Sequence, residues 1–257
     1  MSPFIYNYRR CVALKEMFTT LVEKFELCFI NNNYWEWLRD GFINSIVITF
    51  SAIVLGFIIG IILAMIRSSY DKNSESLKQK GGIGYVLMKI VNAICKIYIT
   101  VVRGVPVVVQ LMIWYFVILI SQKSSVLVAI IAFGFNSGAY VAEIFRGGIM
   151  SIDEGQFEAG RSLGFNYPQT MIHIVIPQAF KTVLPTLLNE VIAVLKETSI
   201  AGYVGIMDLT KAGDLIRGRT FEAFVPLIAV AIIYLISVII LTNVFTRIER
   251  RLRNSER

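Results

Sequence analysis

The sequence predicts an all-α integral membrane protein with five transmembrane helices, its N-terminus outside and its C-terminus in the cytoplasm. The chain has 257 residues, of which 56% are hydrophobic and 17% charged, a more apolar balance than that of a soluble domain. The apolar residues form blocks long enough to cross a bilayer. The basic residues lie beside these blocks, which is where membrane topology places them.

The first crossing is predicted at about 41–66, a stretch without a charged residue. At about 1.5 Å per residue, such a helix is longer than a hydrocarbon core of about 30 Å, so we expect it to be tilted. Its apolar run is too long for a cleaved signal peptide. Residues 1–40 are interpreted as an extracytoplasmic or interfacial segment, because aromatic residues such as Trp35 and Trp37 gather at its end.

The second crossing is predicted at about 104–121. Residues 67–82 before it are polar and basic, which is typical of a cytoplasmic loop. The apolar stretch that follows is too long for one straight crossing, and Gly104 and Pro106 interrupt it. We therefore expect residues 85–103 to form an amphipathic helix along or entering the cytoplasmic face.

The remaining apolar blocks complete a transmembrane domain at 41–246. Three more crossings are predicted, at about 126–146, 174–197 and 223–245. Between the third and fourth crossings lies a polar cytoplasmic segment at 151–170, and the arginine-rich tail at 247–257 is also expected in the cytoplasm. Five crossings then place the N-terminus on the outer side.

Several classes of function are not expected. The net charge of +7 does not indicate nucleic-acid binding, because the basic residues lie beside apolar blocks. The three cysteines have no C-x-x-C spacing, so neither a metal site nor a disulfide framework is proposed, and no cofactor is expected in this chain. The sequence lacks a G-x-x-x-x-G-K-[ST] phosphate loop, so the chain is not expected to be an enzyme by itself.

Two glycine pairs, Gly56 with Gly60 and Gly134 with Gly138, have the G-x-x-x-G spacing that lets helices approach closely. Such spacing is common in glycine-containing membrane helices. We therefore favour ordinary helix packing over a specific contact between subunits.

The polar segment from Gly155 to Pro177, GQFEAGRSLGFNYPQTMIHIVIP, has the spacing of a docking helix. Small residues allow close approach to a partner, and Glu158 offers a charge. Gly164 can end the helix in a left-handed conformation, and Pro177 fits near the start of the next helix. The residues expected to couple the chain to a partner are Gly155, Gln156, Glu158, Ala159, Gly160, Gly164 and Pro177.

This spacing resembles the EAA loop of permease subunits in bacterial ABC importers, E-A-A-x(3)-G-x(9)-I-x-L-P. Gly160 stands where that pattern has alanine, and Ile176 where it has leucine. Glycine costs up to about 1 kcal/mol relative to alanine in a helix, so we expect a less rigid docking helix. The stretches at 98–116, 138–160 and 184–205 look like the polar amino acid branch, and the resemblance covers about 41–253.

The resemblance implies a function as the membrane-spanning permease subunit of an ATP-driven importer of a polar amino acid, in a bacterial cytoplasmic membrane. It also implies three kinds of partner. These are a dimer of ATP-binding subunits that hydrolyse ATP, a second permease subunit that is identical or homologous, and an extracytoplasmic binding protein that delivers the amino acid.

An ionisable residue within a membrane helix is costly and usually faces the protein interior or a cavity. On this ground Glu190 is a candidate for the substrate path and would suit an ammonium group, whereas Lys196 would suit a carboxylate. A polar network that only holds helices together is an equal alternative for Glu190 and the favoured one for Lys196. The full set of path candidates is Gln110, Asn189, Glu190, Lys196 and Thr198. For Arg103, Glu143 and Arg146 we expect interhelical ion pairing.

Two other functions remain open from the residues. A gradient-driven amino acid transporter or channel would act without an ATPase, and it would not need the docking segment. A membrane scaffold without transport activity would leave Glu190 unexplained.

Overall fold

The computed structural model describes residues 19–254, so residues 1–18 of the predicted N-terminal segment and 255–257 of the predicted tail lie outside the described part. The regular elements between these limits are helical, and no strand occurs in that part of the chain. The α-helices from residue 35 onward are α1 Trp35–Lys80, α2 Ile83–Gly104, α3 Val107–Ile113, α4 Ser125–Met150, α5 Glu154–Ser162, α6 Tyr167–Thr170, α7 Ile176–Glu197, α8 Leu209–Thr220 and α9 Phe224–Asn254. Shorter π-helical turns occupy Glu26–Ile30, Trp114–Ile118 and Met171–Val175, and a 3-10 helix occupies Thr198–Val204.

Five stretches of the described residues are long and apolar enough to cross a membrane. They are Trp35–Lys72, Ile83–Gly104, Ser125–Met150, Tyr167–Val204 and Phe224–Leu252. The predicted class, an all-α membrane protein with five transmembrane helices, is therefore confirmed.

The predicted loop at 67–82 is wrong, because α1 continues as a helix to Lys80. Between residues 67 and 80 the sequence has neither proline nor glycine, and its lysine, glutamate, leucine and glutamine residues favour a helix. The helix ends only at Gly81 and Gly82, whose φ angles of +62° and +94° suit glycine. We call residues 67–80 the α1 extension.

The predicted second crossing at 104–121 differs from the structure, in which the candidate span is Ile83–Gly104. The apolar helix after it, Val107–Ile118, is shorter than the roughly 20 residues needed to cross alone. Val105 is extended, as expected for a residue before proline, and it separates α2 from α3. Three basic residues of α2 recur every seven positions and so share one stripe of the helix. They are Lys89, Lys96 and Arg103.

The two glycine pairs pack α1 against α4. A β-carbon built on Gly60 would lie 2.5 Å from Val141 Cγ1, and one on Gly134 would lie 2.7 Å from Leu55 Cδ2. Gly56 and Gly138 meet Ser137 and Ile59 in the same way. The interpretation as ordinary helix packing within the chain is thus confirmed.

The chain divides into two compact units. One comprises residues 46–198 and 238–254 of the described chain, and it contains the predicted docking segment and the candidate path residues. The other comprises 19–45 and 199–237. A buried apolar cluster in the latter unit contains Cys28, Phe29, Leu38, Leu209, Ala212, Ile216 and Val230.

Helix α8 of the second unit has a conventional start and an unusual end. The carboxylate of Asp208 caps the start by accepting hydrogen bonds from the backbone N–H groups of Thr210, at 2.8 Å, and Lys211, at 3.2 Å. Burial raises the pKa of this carboxyl. At the other end Phe221 adopts φ +55° in the left-handed region, with its side chain 94% exposed.

Candidate functional site

The docking segment contains a short helix, α5, with defined ends. Asp153 caps its start by accepting a hydrogen bond of 2.7 Å from the N–H of Gly155. At its end Gly164 has φ +81°, and its N–H donates to the carbonyl of Arg161 at 2.9 Å. The N–H of Phe165 donates to the carbonyl of Gly160 at 3.0 Å, which completes a Schellman motif. The prediction that Gly164 ends the helix in a left-handed conformation is confirmed.

One face of α5 is buried through Phe157 and Gly160. Phe157 belongs to an apolar cluster with Ile149, Met171, Val175 and Ala179. A β-carbon on Gly160 would lie 2.6 Å from Thr170 Cγ2, closer than real carbons approach. The expectation that Gly160 merely loosens the helix needs correction, because the missing side chain lets α5 pack directly against Thr170 at the end of α6.

The opposite face of α5 is exposed. It presents Gly155, Glu158 and Ala159, followed by Leu163, whose side chain is 70% exposed, and by Gly164. We call these five residues the docking surface. Four of them are among the seven residues predicted to couple the chain to a partner, whereas Gly160 lies on the buried face. Leu163 was missed because a single apolar residue in a polar loop gives no periodic signal.

The other two predicted coupling residues connect α5 to α7. The side-chain amide of Gln178 donates hydrogen bonds of 3.0 Å to Gln156 Oε1 and to the carbonyl of Ile174. Pro177 is in the first turn of α7, as predicted. The π-helical turn Met171–Val175 precedes it, and this wider turn accommodates a proline that lacks an N–H and would crowd a preceding carbonyl.

Lys72 of the α1 extension also contacts α5. Its Nζ donates a hydrogen bond of 2.9 Å to Glu154 Oε1 and lies 4.4 Å from the centroid of the Phe157 ring. The hydrogen bond and positive charge of Lys72 lower the pKa of the Glu154 carboxyl. Lys72 was not among the predicted site residues, because residues 67–82 were interpreted as a loop.

A chain of ion pairs joins the α1 extension to α4. Arg67 pairs with Glu143, and Arg146 contacts both Glu143, at 3.1 Å, and Asp71, at 3.4 Å. The expected interhelical ion pairing is confirmed for Glu143 and Arg146. The guanidinium of Arg103 instead lies over an aromatic ring, 5.3 Å from the centroid of Tyr140.

Glu190 is the path candidate that lies between helices. It is half-buried on α7, and its Oε1 accepts a hydrogen bond of 3.0 Å from Ser137 Oγ, near the middle of α4. Asn189 and Lys196 have exposed side chains on α7. Thr198 is fully buried, and its hydroxyl donates to the carbonyl of Leu195 at 2.7 Å.

The side chain of Gln110 bonds to backbone carbonyls at the break between α2 and α3. Its Nε2 donates hydrogen bonds of 2.8 Å to the carbonyls of Val102 and Val105. These carbonyls lie at the C-terminal end of α2, where a helix leaves its last acceptors without helical partners. Among the described residues, no hydrogen bond joins Gln110 or Thr198 to Glu190, so the five path candidates do not form one polar cluster.

Comparison with known proteins identifies a family that this chain matches. Residues 82–254 match a family described as "Binding-protein-dependent transport system inner membrane component". The chain is 33% identical over 219 residues to the "Putative glutamine transport system permease protein GlnP" of Rickettsia typhi, covering 84% of this chain and 93% of that protein. It is 37% identical over 186 residues to the "Arginine transport system permease protein ArtQ" of Bacillus subtilis, covering 66% and 85% respectively.

A solved structure is similar in both sequence and fold. It is described as "Crystal structure of an amino acid ABC transporter with histidines" and superimposes with a TM-score of 0.72. The two chains are 33% identical, and the similarity covers 85% of this chain and 95% of that one.

Proposed function

This chain belongs to the family of binding-protein-dependent transport system inner membrane components, and we propose that it is the permease subunit of an ATP-driven importer of a polar amino acid. The observation that carries this proposal is the arrangement of α5. Its buried face is fixed by Phe157 and Gly160, while Glu158, Ala159 and Leu163 remain exposed. An exposed helix whose opposite face packs against its own chain suits a subunit that is moved by another protein.

The docking surface is proposed to bind an ATP-binding subunit, two copies of which serve the complete transporter. Ala159 and Gly164 allow close approach, Leu163 supplies an apolar contact, and Glu158 would pair with a basic residue of the partner. ATP hydrolysis is assigned to that partner, and this chain supplies the passage. ATP-induced closure of the partner subunits would move α5, and the movement would open the passage alternately to each side of the membrane.

The remaining partners follow from the same proposal. A second permease subunit completes the passage, and an extracytoplasmic binding protein delivers the substrate. We place the chain in a bacterial cytoplasmic membrane with its N-terminus outside. In this orientation α5, the α1 extension and the arginines at 247–251 lie on the cytoplasmic side, in agreement with the positive-inside rule.

The substrate is proposed to be a polar amino acid, in line with the names of the glutamine and arginine permeases to which the chain is similar. Glu190 is proposed to face the path and to contact the substrate ammonium group. The exposed Lys196, less than two turns further along α7, would contact the carboxylate. Gln110 and Thr198 are not proposed as contacts, because their side chains already bond to backbone carbonyls.

Reconstitution tests the proposal. The chain is co-purified with its ATP-binding subunit and placed in liposomes with the binding protein, and uptake and ATP hydrolysis are measured together. We expect amino acid uptake only with ATP, and we expect Glu158→Lys to weaken co-purification. Glu75→Lys, an equal charge change at an exposed position on the α1 extension, serves as the control. Uptake by this chain without any ATPase would instead support a gradient-driven transporter.

A further inference from the structure

Helix α5 is attached to the rest of its compact unit on two sides. Its own buried face packs on α6 and α7 through Phe157 and Gly160. On the second side Lys72 reaches it from the α1 extension, pairing with Glu154 and lying over the Phe157 ring. A displacement of α5 therefore acts on α4 and α7 through apolar packing with Ile149 and Ala179, and on α1 through one lysine.

Lys72 and Glu154 are buried to different extents. The side chain of Lys72 is 15% exposed, whereas that of Glu154 is 81% exposed. The lysine is thus enclosed by the protein, and Glu154 reaches it from the outer side. A cavity of about 250 Å³ adjoins the pair and is also lined by Arg161 and Thr170.

The α1 extension is in turn fixed to α4 within two helical turns of Lys72. Asp71 pairs with Arg146, and Arg67 pairs with Glu143, which also holds Arg146. A force on Lys72 would consequently reach both α1 and α4, and α4 carries Ser137, the partner of Glu190.

We infer that Lys72 is a positioning residue that transmits the movement of α5 to α1 and α4. The inference rests on the proposed function, in which α5 docks on an ATP-binding subunit. An ion pair with one exposed partner adds little to the stability of a fold. Replacing Lys72 should therefore leave assembly intact and reduce only the coupling between hydrolysis and transport.

The test uses the complete reconstituted transporter and measures substrate taken up per ATP hydrolysed. For Lys72→Ala we expect this ratio to fall about fivefold or more, in the range typical of coupling between distant sites. Lys72→Arg should preserve the ratio, because arginine also pairs with carboxylates and lies over aromatic rings. Lys78→Ala, an exposed lysine on the same extension, is the matched control and should have no effect.

Charge reversal tests whether the ion pair between Lys72 and Glu154, and not either residue alone, transmits the movement. Lys72→Glu should lower the ratio, and adding Glu154→Lys should restore part of it. A normal ratio in Lys72→Ala, or no recovery in either Lys72→Arg or the reversed pair, would overturn the inference. Absence of ATP-dependent uptake in the unmodified complex would refute the proposed function itself, which is a distinguishable result.

Discussion

Gly160 and Thr170 are in such close contact that a β-carbon on the glycine would lie 2.6 Å from Thr170 Cγ2 and 2.7 Å from its Oγ1. In helix propensity alone, alanine would stabilise α5 by up to about 1 kcal/mol relative to glycine. Overpacking of a tight contact costs about 1–3 kcal/mol, so the steric effect is the larger of the two. The absence of a side chain at this position is a packing requirement.

We expect Gly160→Ala to lower the melting temperature of the purified chain and to weaken its association with the ATP-binding subunit. Thermal unfolding in detergent and co-purification measure the two effects. Combining it with Thr170→Ala removes both clashing atoms, so the added methyl should then cost little. A higher melting temperature for Gly160→Ala alone would show that packing does not restrict this position.

Gln110 is predicted to stabilise the break between α2 and α3. Gln110→Leu removes the donor from two carbonyls and should destabilise the chain by about 1–3 kcal/mol. The apparent substrate affinity of the surviving transporter should be unchanged. Gln79→Leu, at an exposed position of the α1 extension, is the control. If Gln110→Leu changed substrate affinity without affecting stability, a role in the substrate path would be supported instead.

Glu190→Gln tests the proposed substrate contact. The amide keeps an acceptor for the Ser137 hydroxyl but removes the negative charge. Hydrogen bonds to charged groups contribute about 1.5–3 kcal/mol, so we expect KM for uptake to rise about tenfold or more. ATP hydrolysis without substrate should persist. Ser137→Ala removes only the internal donor and should have a smaller effect, and an unchanged KM in Glu190→Gln would contradict the assignment.

The Cys28 thiol provides a prediction for pH dependence. It is fully buried, and burial raises its pKa. The folded state therefore holds the thiol proton more tightly than the unfolded state does. The contribution of the protonated thiol to the free energy of unfolding declines as pH rises above the pKa of an unfolded cysteine. In a Cys11→Ser, Cys95→Ser background we expect iodoacetamide to label Cys28 slowly between pH 7 and 9.

Mass spectrometry follows that labelling, and chain unfolded in denaturant gives the reference rate. Labelling of the native chain at the reference rate would mean that Cys28 is accessible in solution.

Phe221 is predicted to be replaceable with a gain in stability. Its φ of +55° lies in a region that costs a non-glycine residue roughly 1–2 kcal/mol, and its exposed ring offers little compensation. Phe221→Gly should raise the melting temperature of the purified chain. Phe221→Ala, which keeps the backbone restriction but removes the ring, should not. A lower melting temperature for the glycine variant would indicate that the ring contributes an apolar contact.

The parts of the fold that follow from local pattern could be predicted from the sequence. Long apolar blocks identify membrane helices because a bilayer demands uninterrupted apolar length. The left-handed conformation of Gly164 follows from its place just beyond a short helix. The packing role of Gly56 and Gly60 follows from their spacing, which puts both on one face of α1.

Features that depend on distant partners could not be predicted in this way. The α1 extension is polar, so it lacks the apolar periodicity that distinguishes a helix from a loop. Its contact from Lys72 to Glu154 joins residues far apart in sequence. Likewise, the need for glycine at position 160 depends on Thr170, and the role of Gln110 depends on two backbone carbonyls. Neither set of partners is implied by residue type alone.

Helix α1 is 46 residues long, or about 69 Å at 1.5 Å per residue. A bilayer with its headgroups is only about 40–45 Å thick, so the helix must project well into the surrounding water. Near Gly56 and Gly60 its backbone is in close contact with α4, which makes this region a fulcrum. In a stiff rod, a tilt too small to disturb that contact becomes a much larger displacement at the projecting end. The 46-residue length therefore makes α1 a lever, with Lys72 on the arm that runs from Gly60 to Lys80.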